Sequence, residues 1–323
     1  MLMNIEDLDA SHLKEACGIF EAAFRKERCD APILDETFGT AARVMPKLLS
    51  CIEKTPGVAV TENGKLVAYM TGIQIEKFLS PHRGVYSPEW AHGSIAGNDF
   101  ELYRLMYREL GQRWVENGCI THAINFMNHS VDAWNAFVWN GFGGICFDAI
   151  RPVEKLNAEI PGGIRISQLE EKDIAFLLPL VDASARHLAA SPSFVPYTEP
   201  ETLDALSEAL KTPGNHAWMA WSGSEPVGYM KVTPAGNGAA WIVNGERKFA
   251  INGAYVNPEF RGRGIARHLL SSIMDWGLEQ GFARCSVDFE MTNPEACGFW
   301  LKHFRPVCRS MVRRLDEDIL KTI

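Results

Sequence analysis

A stretch near residue 260 constrains the fold of this chain more than any other, because it joins a buried strand to an amphipathic helix. Residues 250–256 (AINGAYV) are apolar enough for a largely buried strand, and Pro258 ends that strand because proline has no N–H to donate. From residue 265 onward, apolar side chains recur at helical spacing as far as Gly281, a residue typical of a helix end. The sequence therefore predicts a strand, a tight loop and a helix in that order.

The loop itself carries the residues that an anion site needs. Gly262 and Gly264 let the backbone approach a ligand without a Cβ in the way. The free N–H groups and the dipole at the start of the helix favour a negative charge there. Arg261, Arg263 and Arg267 add positive charge nearby. The loop therefore predicts a seat for a phosphate or diphosphate; the alternatives are a surface turn rich in glycine and arginine, or a basic patch for nucleic acid.

The spacing of the loop separates it from two common phosphate-binding loops. It has no Gly-Lys-Ser/Thr, as in nucleoside triphosphatases, and no Gly-x-Gly-x-x-Gly followed by an acidic ribose ligand. Instead Arg261, Gly264 and Ala266 form the pattern Arg-x-x-Gly-x-Ala, preceded by Val256 and Pro258. This run resembles the acyl-CoA diphosphate loop, Gln/Arg-x-x-Gly-x-Gly/Ala, of the GCN5-related N-acetyltransferase (GNAT) family.

The resemblance implies a fold and a cofactor, acetyl-CoA. The fold class is α/β (α+β), a mixed and mostly antiparallel central sheet flanked by helices. In this family two parallel strands splay apart, and the pantetheine arm of CoA lies between them. Carried onto this chain, the splayed strands end at residues 254–256 and 285–290. The implied cofactor-binding residues are Ala254, Tyr255, Val256, Arg261, Gly262, Arg263, Gly264, Ile265, Ala266 and Asn293.

The segment after the second splayed strand continues the resemblance, with one departure. Asn293, followed by Ala296, Phe299 and Phe304, resembles the family segment Asn-x-x-Ala-x-x-x-Tyr-x-x-x-Gly-Phe. Asn293 before Pro294 is also well suited to cap a helix, and both roles stay open. The family tyrosine, which protonates the departing thiolate, is replaced by Trp300, and an indole is a poor acid. The proton would then come from Cys297, a water or another tyrosine, or the thiolate would leave unprotonated.

Acetylation of an amine requires a base, because only the neutral amine attacks a thioester. Asp288 and Glu290 lie on one side of the second splayed strand, since side chains alternate along a strand. Glu290 is nearer the carboxyl end, where open α/β sheets bind ligands, so it is the predicted catalytic base, acting through water. The alternative is a solvent-exposed or structurally paired glutamate.

The chain also contains two similar halves, which indicates a duplicated domain. VAYM at 67–70 corresponds to VGYM at 227–230, and Gly141-Phe142 corresponds to His303-Phe304 at nearly the same offset. A Pro-Gly-Gly run lies between the halves. The predicted division is a degenerate GNAT-like domain at 1–153, a linker at 154–163 and a cofactor-binding GNAT domain at 164–323.

The first half is called degenerate because it lacks the anion loop. Residues 97–104 (GNDFELYR) lie at the corresponding position, with Asp99 and Glu101 at the start of the helix and no positive charge before Arg104. Acids there satisfy the helix dipole and repel a diphosphate. The first domain is therefore expected to support the second and to wall a substrate cleft.

Patterns in the rest of the chain predict further elements. Helices are expected over 9–27, 35–54 and 170–190. A hairpin closed by Asn63-Gly64 is expected in the first half, followed by one strand over 84–93.

Composition argues against several other classes of protein. A net charge of -8 disfavours nucleic-acid binding as the main role. No apolar run reaches the length of a membrane span, and no secretion signal is recognisable. The eight cysteines are far apart and form no metal-like cluster with the nine histidines, which indicates reduced thiols, no metal site and a cytoplasmic protein.

The sequence therefore predicts an acetyl-CoA-dependent N-acetyltransferase acting on a primary amine of a small molecule or peptide, with its active site in residues 164–323. A non-catalytic acyl-CoA sensor is the alternative, suggested by the missing tyrosine. A peptidyl or aminoacyl transferase built on doubled copies of the fold is a third possibility, although such enzymes usually lack the CoA loop. The amine, the acyl length and the oligomeric state stay open.

Overall fold

A computed structural model describes residues 3–95, 97–158, 162–199, 202–234 and 240–321 of the chain. The helices in these residues are α1 Leu13–Asp30, α2 Ala41–Ile52, α3 Asp99–Glu116, α4 Val131–Trp139, α5 Ile174–Ala189, α6 Leu203–Lys211, α7 Ile265–Glu279 and α8 Pro294–His303. The strands are β1 Met3–Asp7, β2 Val58–Glu62, β3 Lys65–Met70, β4 Ile73–Ile75, β5 Gly84–Ser87, β6 His92–Ser94, β7 Thr121–Met127, β8 Gly143–Pro152, β9 Ile164–Gln168, β10 His216–Ser222, β11 Glu225–Thr233, β12 Lys248–Val256, β13 Arg284–Glu290 and β14 Arg305–Arg314. Within the described ranges, no helix is both long and apolar enough to cross a membrane.

The order of elements repeats once along the chain. A strand, two helices and an antiparallel strand pair open each copy, as β1-α1-α2-β2-β3 and then β9-α5-α6-β10-β11. Each copy closes with helix, strand, helix and strand, as α3-β7-α4-β8 and then α7-β13-α8-β14. Tyr69 in β3 and Tyr229 in β11, which the sequence comparison paired, are both buried. The predicted pair of tandem α/β folds is confirmed.

The described residues cluster into two compact units. The first unit comprises the described residues of Met1–Asp148, Ala240–Gly245 and Arg305–Ile323, and the second those of Ala149–Ala239 and Glu246–Phe304. Residues 159–161 of the predicted linker lie outside the described residues.

In the first unit, strands pair in the orders β1-β2-β3-β6 and β4-β5-β7-β14. All of these pairs are antiparallel except β5 with β7. The core is strongly aromatic, because Tyr107, Phe137 and Phe142 meet edge-on or tilted between α3 and α4, with ring centres 4.7–5.2 Å apart. Their burial removes large apolar surfaces from water and fixes the helices in place.

In the second unit, strands pair in the order β13-β12-β11-β10-β9, and only β12 with β13 is parallel among them. One set of side chains, including Leu177 and Met219, packs with α5 and α6. Trp276 of α7 packs against Trp218 and Phe249, with ring centres 5.3 Å from each. The helices packed on this sheet therefore fix the position of the parallel strands β12 and β13.

The last strand of each sequence copy lies wholly or partly in the compact unit formed mainly by the other copy. Strand β14, from the C-terminal copy, pairs with β7 in the first unit from Cys308↔Met127 to Arg314↔Thr121. The end of β8, from the N-terminal copy, belongs to the second unit, where the Val153 N–H donates to the Ala283 carbonyl (3.0 Å). The compact units and the sequence copies are therefore different divisions of the chain.

Several element boundaries differ from those predicted. The helix expected over 35–54 is a 3-10 turn followed by α2, because the backbone is extended at Thr40 between them (φ -82°, ψ 146°). The strand expected over 84–93 is two strands, β5 and β6, which pair in different sheets on either side of Pro88. The helix expected over 170–190 begins at Ile174 after a 3-10 turn.

Other expectations hold or were incomplete. The helix expected over 9–27 is present as α1. The hairpin closed by Asn63-Gly64 is confirmed, with both residues at positive φ. Strand β1 was not predicted, because its exposed and polar residues give no clear alternation.

Candidate active site

The parallel strands β12 and β13 are paired over only part of their length. Their register runs from Lys248↔Arg284 to Ile251↔Val287, and then both strands continue. A gap therefore opens between residues 252–256 of β12 and the last three residues of β13. Backbone amides that face such a gap can pair with an extended ligand as they would with another strand. The splay implied by the sequence resemblance is present.

The gap is part of a cavity of about 890 Å³ within the second unit. It has the size of a typical small-molecule or cofactor site. Of the eleven predicted site residues, ten line it: Ala254, Tyr255, Val256, Arg261, Gly262, Gly264, Ile265, Ala266, Glu290 and Asn293. Arg263 is not among the described lining residues; its guanidinium lies 5.2 Å from the centre of the Phe260 ring.

The loop before α7 leaves the start of that helix open. Gly262 and Gly264 have φ values of 75° and 82°, a conformation that favours glycine. Gly264 is the N-cap residue, and no side chain caps the helix. The first helical hydrogen bond runs from the His268 N–H to the Gly264 carbonyl (3.0 Å), so the N–H groups of 265–267 precede the ladder. These groups can bind an anion.

Arg261 shapes the loop through its own side chain. Its Nε donates to the Val256 carbonyl (3.0 Å), and its Nη1 donates to Glu295 Oε1 (3.2 Å). The guanidinium also lies 5.5 Å from the centre of the Tyr255 ring. Arg261 therefore ties the end of β12 to the loop and to α8.

Asn293 caps α8, as one of its two predicted roles requires. Its Oδ1 accepts a hydrogen bond from the Ala296 N–H (3.0 Å), and Pro294 is the first helical residue. The same side chain lines the cavity. The cap is confirmed, and the cofactor contact stays a prediction.

Two carboxylates of β13 line the cavity, Asp288 and Glu290. Burial raises the pKa of Glu290, and the negative charge of Asp288 raises it further. Burial also raises the pKa of Asp288, although the positive charge of Lys248 opposes this effect. A carboxylate with a raised pKa accepts a proton more readily near neutral pH, as a general base must.

Comparison with known proteins agrees with this geometry. A family model described as Acetyltransferase (GNAT) family matches residues 183–304. These residues belong to the GNAT family. The match contains β12, the glycine loop, α7, β13 and α8, and therefore most of the elements around the cavity.

Solved structures show the same fold over almost the whole chain. A GCN5-related N-acetyltransferase from Sphaerobacter thermophilus is 12% identical with a TM-score of 0.59, over 97% of this chain and 95% of that one. A GCN5-related glucosamine N-acetyltransferase region of a fungal multi-domain GH3 β-N-acetylglucosaminidase is 11% identical with a TM-score of 0.53, over 97% of this chain and 38% of that one. A search of curated proteins gave no significant match.

The GNAT helix α8 offers no acid at the position of the family tyrosine. Trp300 is 6% exposed and packs edge-on against Phe304 (5.4 Å between ring centres). The Cys297 thiol donates to the Met291 carbonyl (3.4 Å), and burial raises its pKa. Neither side chain is a ready proton donor.

Other polar groups of the GNAT cavity were missed by the sequence reasoning. His187 of α5 lines the cavity, with its Nε2 3.9 Å from Glu295 Oε2. Ser184 and Tyr229 also line it, and burial raises the pKa of Tyr229 to about 12. The spacing of 184, 187 and 188 along one helix face was the available signal, although nothing local relates that face to the loop.

The matching region of the first copy is filled by side chains. Strands β5 and β7 pair in parallel up to Ser87↔Ile124, as β12 and β13 do before they separate. Beyond that point His92 of β6 reaches β7 and α3, with Nε2 2.8 Å from the Asn125 carbonyl oxygen and Nδ1 2.8 Å from Tyr103 Oη. Burial lowers the pKa of His92 to about 4, so the ring is neutral there. These buried rings therefore fill the space next to the end of the β5–β7 pairing, the position in the element order that corresponds to the second-copy gap.

Proposed function

We propose that this chain is an acetyl-CoA-dependent N-acetyltransferase that acts on a primary amine in the cavity of the second unit. One observation carries the proposal: the gap between β12 and β13 leads directly to the uncapped start of α7. Family membership of residues 183–304 supports the same reaction class.

The residues present fit an acyl-CoA. The N–H groups of 265–267 and the two glycines before them would hold the diphosphate. At about 3.3 Å per residue, positions 252–256 of β12 span about 13 Å, comparable with an extended pantetheine arm. Acetyl-CoA would supply an activated acetyl thioester.

The carboxylates of β13 would prepare the acceptor. We assign Glu290 as the general base, which takes a proton from the ammonium through water and leaves a neutral amine. The N–H groups at the end of β12, near Val256, would polarise the thioester carbonyl. A thiolate leaving group with an ordinary thiol pKa of about 8.5 can depart without a dedicated acid, which accommodates Trp300.

We place the activity in the second copy. In the first copy His92 and Tyr103 fill the matching space, and α3 begins with Asp99, an acid that disfavours a diphosphate. The role of the degenerate domain as support is part of the proposal, and so is a cytosolic location, which the eight free cysteines favour. The acceptor would be a small-molecule or peptide amine, with no nucleic acid or membrane involved.

A binding measurement followed by an activity measurement tests this function. Titration calorimetry with CoA should show one site, and acetyl-CoA with a panel of primary amines should release free thiol. Absence of CoA binding would refute the proposal. Binding without thiol release across the panel would instead support the second candidate, an acyl-CoA sensor, which Trp300 in place of a tyrosine favours.

A further inference from the structure

A buried tyrosine occupies corresponding positions in the two copies but has a different partner in each. Tyr69 of β3 and Tyr229 of β11 each lie in a strand that pairs with the next strand of its copy, and both rings are buried. The Tyr69 hydroxyl donates to the Trp90 carbonyl (2.9 Å). Tyr229 instead forms a hydrogen bond with Ser184 of α5, and both of these residues line the cavity. The tyrosine hydroxyl therefore binds backbone in the first copy and faces the cavity in the second.

The Tyr229 hydroxyl lies beside a residue of β12 that has no side chain. A Cβ added to Gly253 would lie 3.7 Å from Tyr229 Oη. The pairing of β11 with β12 steps from Gly253 to Ile251, so Asn252 forms a bulge there. This bulge lies where β12 and β13 begin to separate. The hydroxyl therefore borders space at the start of the gap that a side chain at position 253 would occupy.

The register of the sheet places Tyr229 on the same side as the two carboxylates of β13. Thr233, four residues after Tyr229, lies on the same side of β11 and pairs with Ala250 of β12. Ala250 pairs in turn with Ser286 of β13, and the carboxylates lie two and four residues beyond it. Tyr229 also packs in one cluster with side chains of α5. The hydroxyl pair and the carboxylates therefore face the cavity from one side of the sheet.

The position and the pKa of Tyr229 together limit what it can do. The diphosphate loop follows Val256, so Gly253 lies toward the reacting end of the arm, where an acceptor must approach. Burial raises the pKa of Tyr229 to about 12, so its hydroxyl keeps its proton at neutral pH. Such a hydroxyl is poorly matched to protonate a thiolate with a pKa of about 8.5, but it can form hydrogen bonds.

We propose that the Tyr229 hydroxyl binds the acceptor amine by accepting a hydrogen bond from its nitrogen, and that Ser184 is a positioning residue that orients this hydroxyl. This inference rests on the proposed function. Tyr229 donates its own proton to Ser184 Oγ, which leaves the lone pairs of Oη for an N–H donor. After Glu290 has taken one proton through water, the neutral primary amine keeps two N–H groups. One of them donates to Tyr229, and the nitrogen lone pair is left for the thioester carbon.

Steady-state kinetics of Tyr229→Phe test this role, with the panel amine that gives the fastest thiol release. The KM for the amine should rise about three- to tenfold, which corresponds to the loss of one hydrogen bond between neutral groups. The kcat should stay within about twofold of wild type, because the contact holds the amine before and during the reaction alike. The Kd for CoA should not change. Ser184→Ala should raise the same KM, and Ser184→Thr, which keeps the hydroxyl, should restore it.

Tyr69→Phe is the matched control, because it removes the same hydroxyl from the corresponding buried tyrosine of the first unit. It should lower Tm, as the loss of a buried hydrogen bond requires, and leave the KM for the amine unchanged. An unchanged KM in Tyr229→Phe, or an equal rise in KM in Tyr69→Phe, would overturn the inference alone. So would a large loss of kcat at unchanged KM, or weaker CoA binding, in Tyr229→Phe. Absence of thiol release by the wild-type protein with every amine would overturn the proposed function as well.

Discussion

Replacing Gly264 with alanine tests whether the start of α7 is an anion site. Gly264 has φ 82°, and Gly281 at the other end of the same helix has φ 75°. An alanine held in this left-handed conformation costs about 1–2 kcal/mol at either position. At Gly281 an added Cβ would meet no atom within 4 Å, so Gly281→Ala is a matched control for backbone strain.

The two variants should differ in CoA affinity and resemble each other in stability. Each kcal/mol of destabilisation lowers Tm by roughly 2–4 °C in a domain of this size. Only Gly264→Ala alters the turn that presents the N–H groups of 265–267. Losing one charge-assisted hydrogen bond to the diphosphate costs about 1.5–3 kcal/mol, or roughly 10- to 150-fold in Kd.

Titration calorimetry and thermal unfolding of the same two preparations give both quantities. The account expects a similar Tm decrease in both variants and weaker CoA binding in Gly264→Ala alone. Wild-type CoA affinity in both variants would refute the assignment of the diphosphate to the start of α7. Equal weakening in both would show that helix stability, not the anion seat, controls binding.

Three further predictions concern the base, a buried acid and the exchanged strand. Glu290→Gln should lower kcat by about 100-fold or more with unchanged CoA affinity, and unchanged turnover would contradict its role as the base. Asp288→Asn should shift the acidic limb of the kcat/KM profile to lower pH, because it removes the charge that raises the pKa of Glu290. An unchanged pH profile would contradict this role of Asp288. Burial raises the pKa of Glu89 to about 6 from 4.5, so the folded state favours the protonated acid, and stability should fall by about 2 kcal/mol as pH rises through 6. Thermal unfolding against pH should show this decrease in wild type and a flatter profile in Glu89→Gln; identical profiles would contradict it. Removing residues 305–323 should unfold the first unit although they belong to the second copy, because β14 pairs with β7 in that unit; protease resistance of the N-terminal segment in the truncated chain would argue against this.

The site geometry that could be predicted from the sequence is the part encoded by neighbouring residues. Gly262 and Gly264 favour a left-handed turn whatever the surrounding fold, and Pro294 after Asn293 favours a capped helix start. The loop and the cap therefore follow from short stretches of chain, whereas the splay of the two strands was implied by the family resemblance. Arg263 shows the limit of this reasoning, because its charge is adjacent in sequence while its side chain lies over Phe260.

The remaining features depend on tertiary pairing that no local pattern specifies. The closing strands β8 and β14 have similar apolar patterns, so sequence alone cannot assign β14 to β7. His187 reaches the cavity because α5 packs on the sheet, not because of any motif around it. The filled gap of the first copy depends on His92 meeting Asn125 across two strands.

A structure determined with CoA tests the central claim most directly. The account predicts the diphosphate on the N–H groups of 265–267, with the pantetheine arm between 252–256 and 288–290. A diphosphate bound elsewhere, or CoA bound only in the first unit, would contradict it.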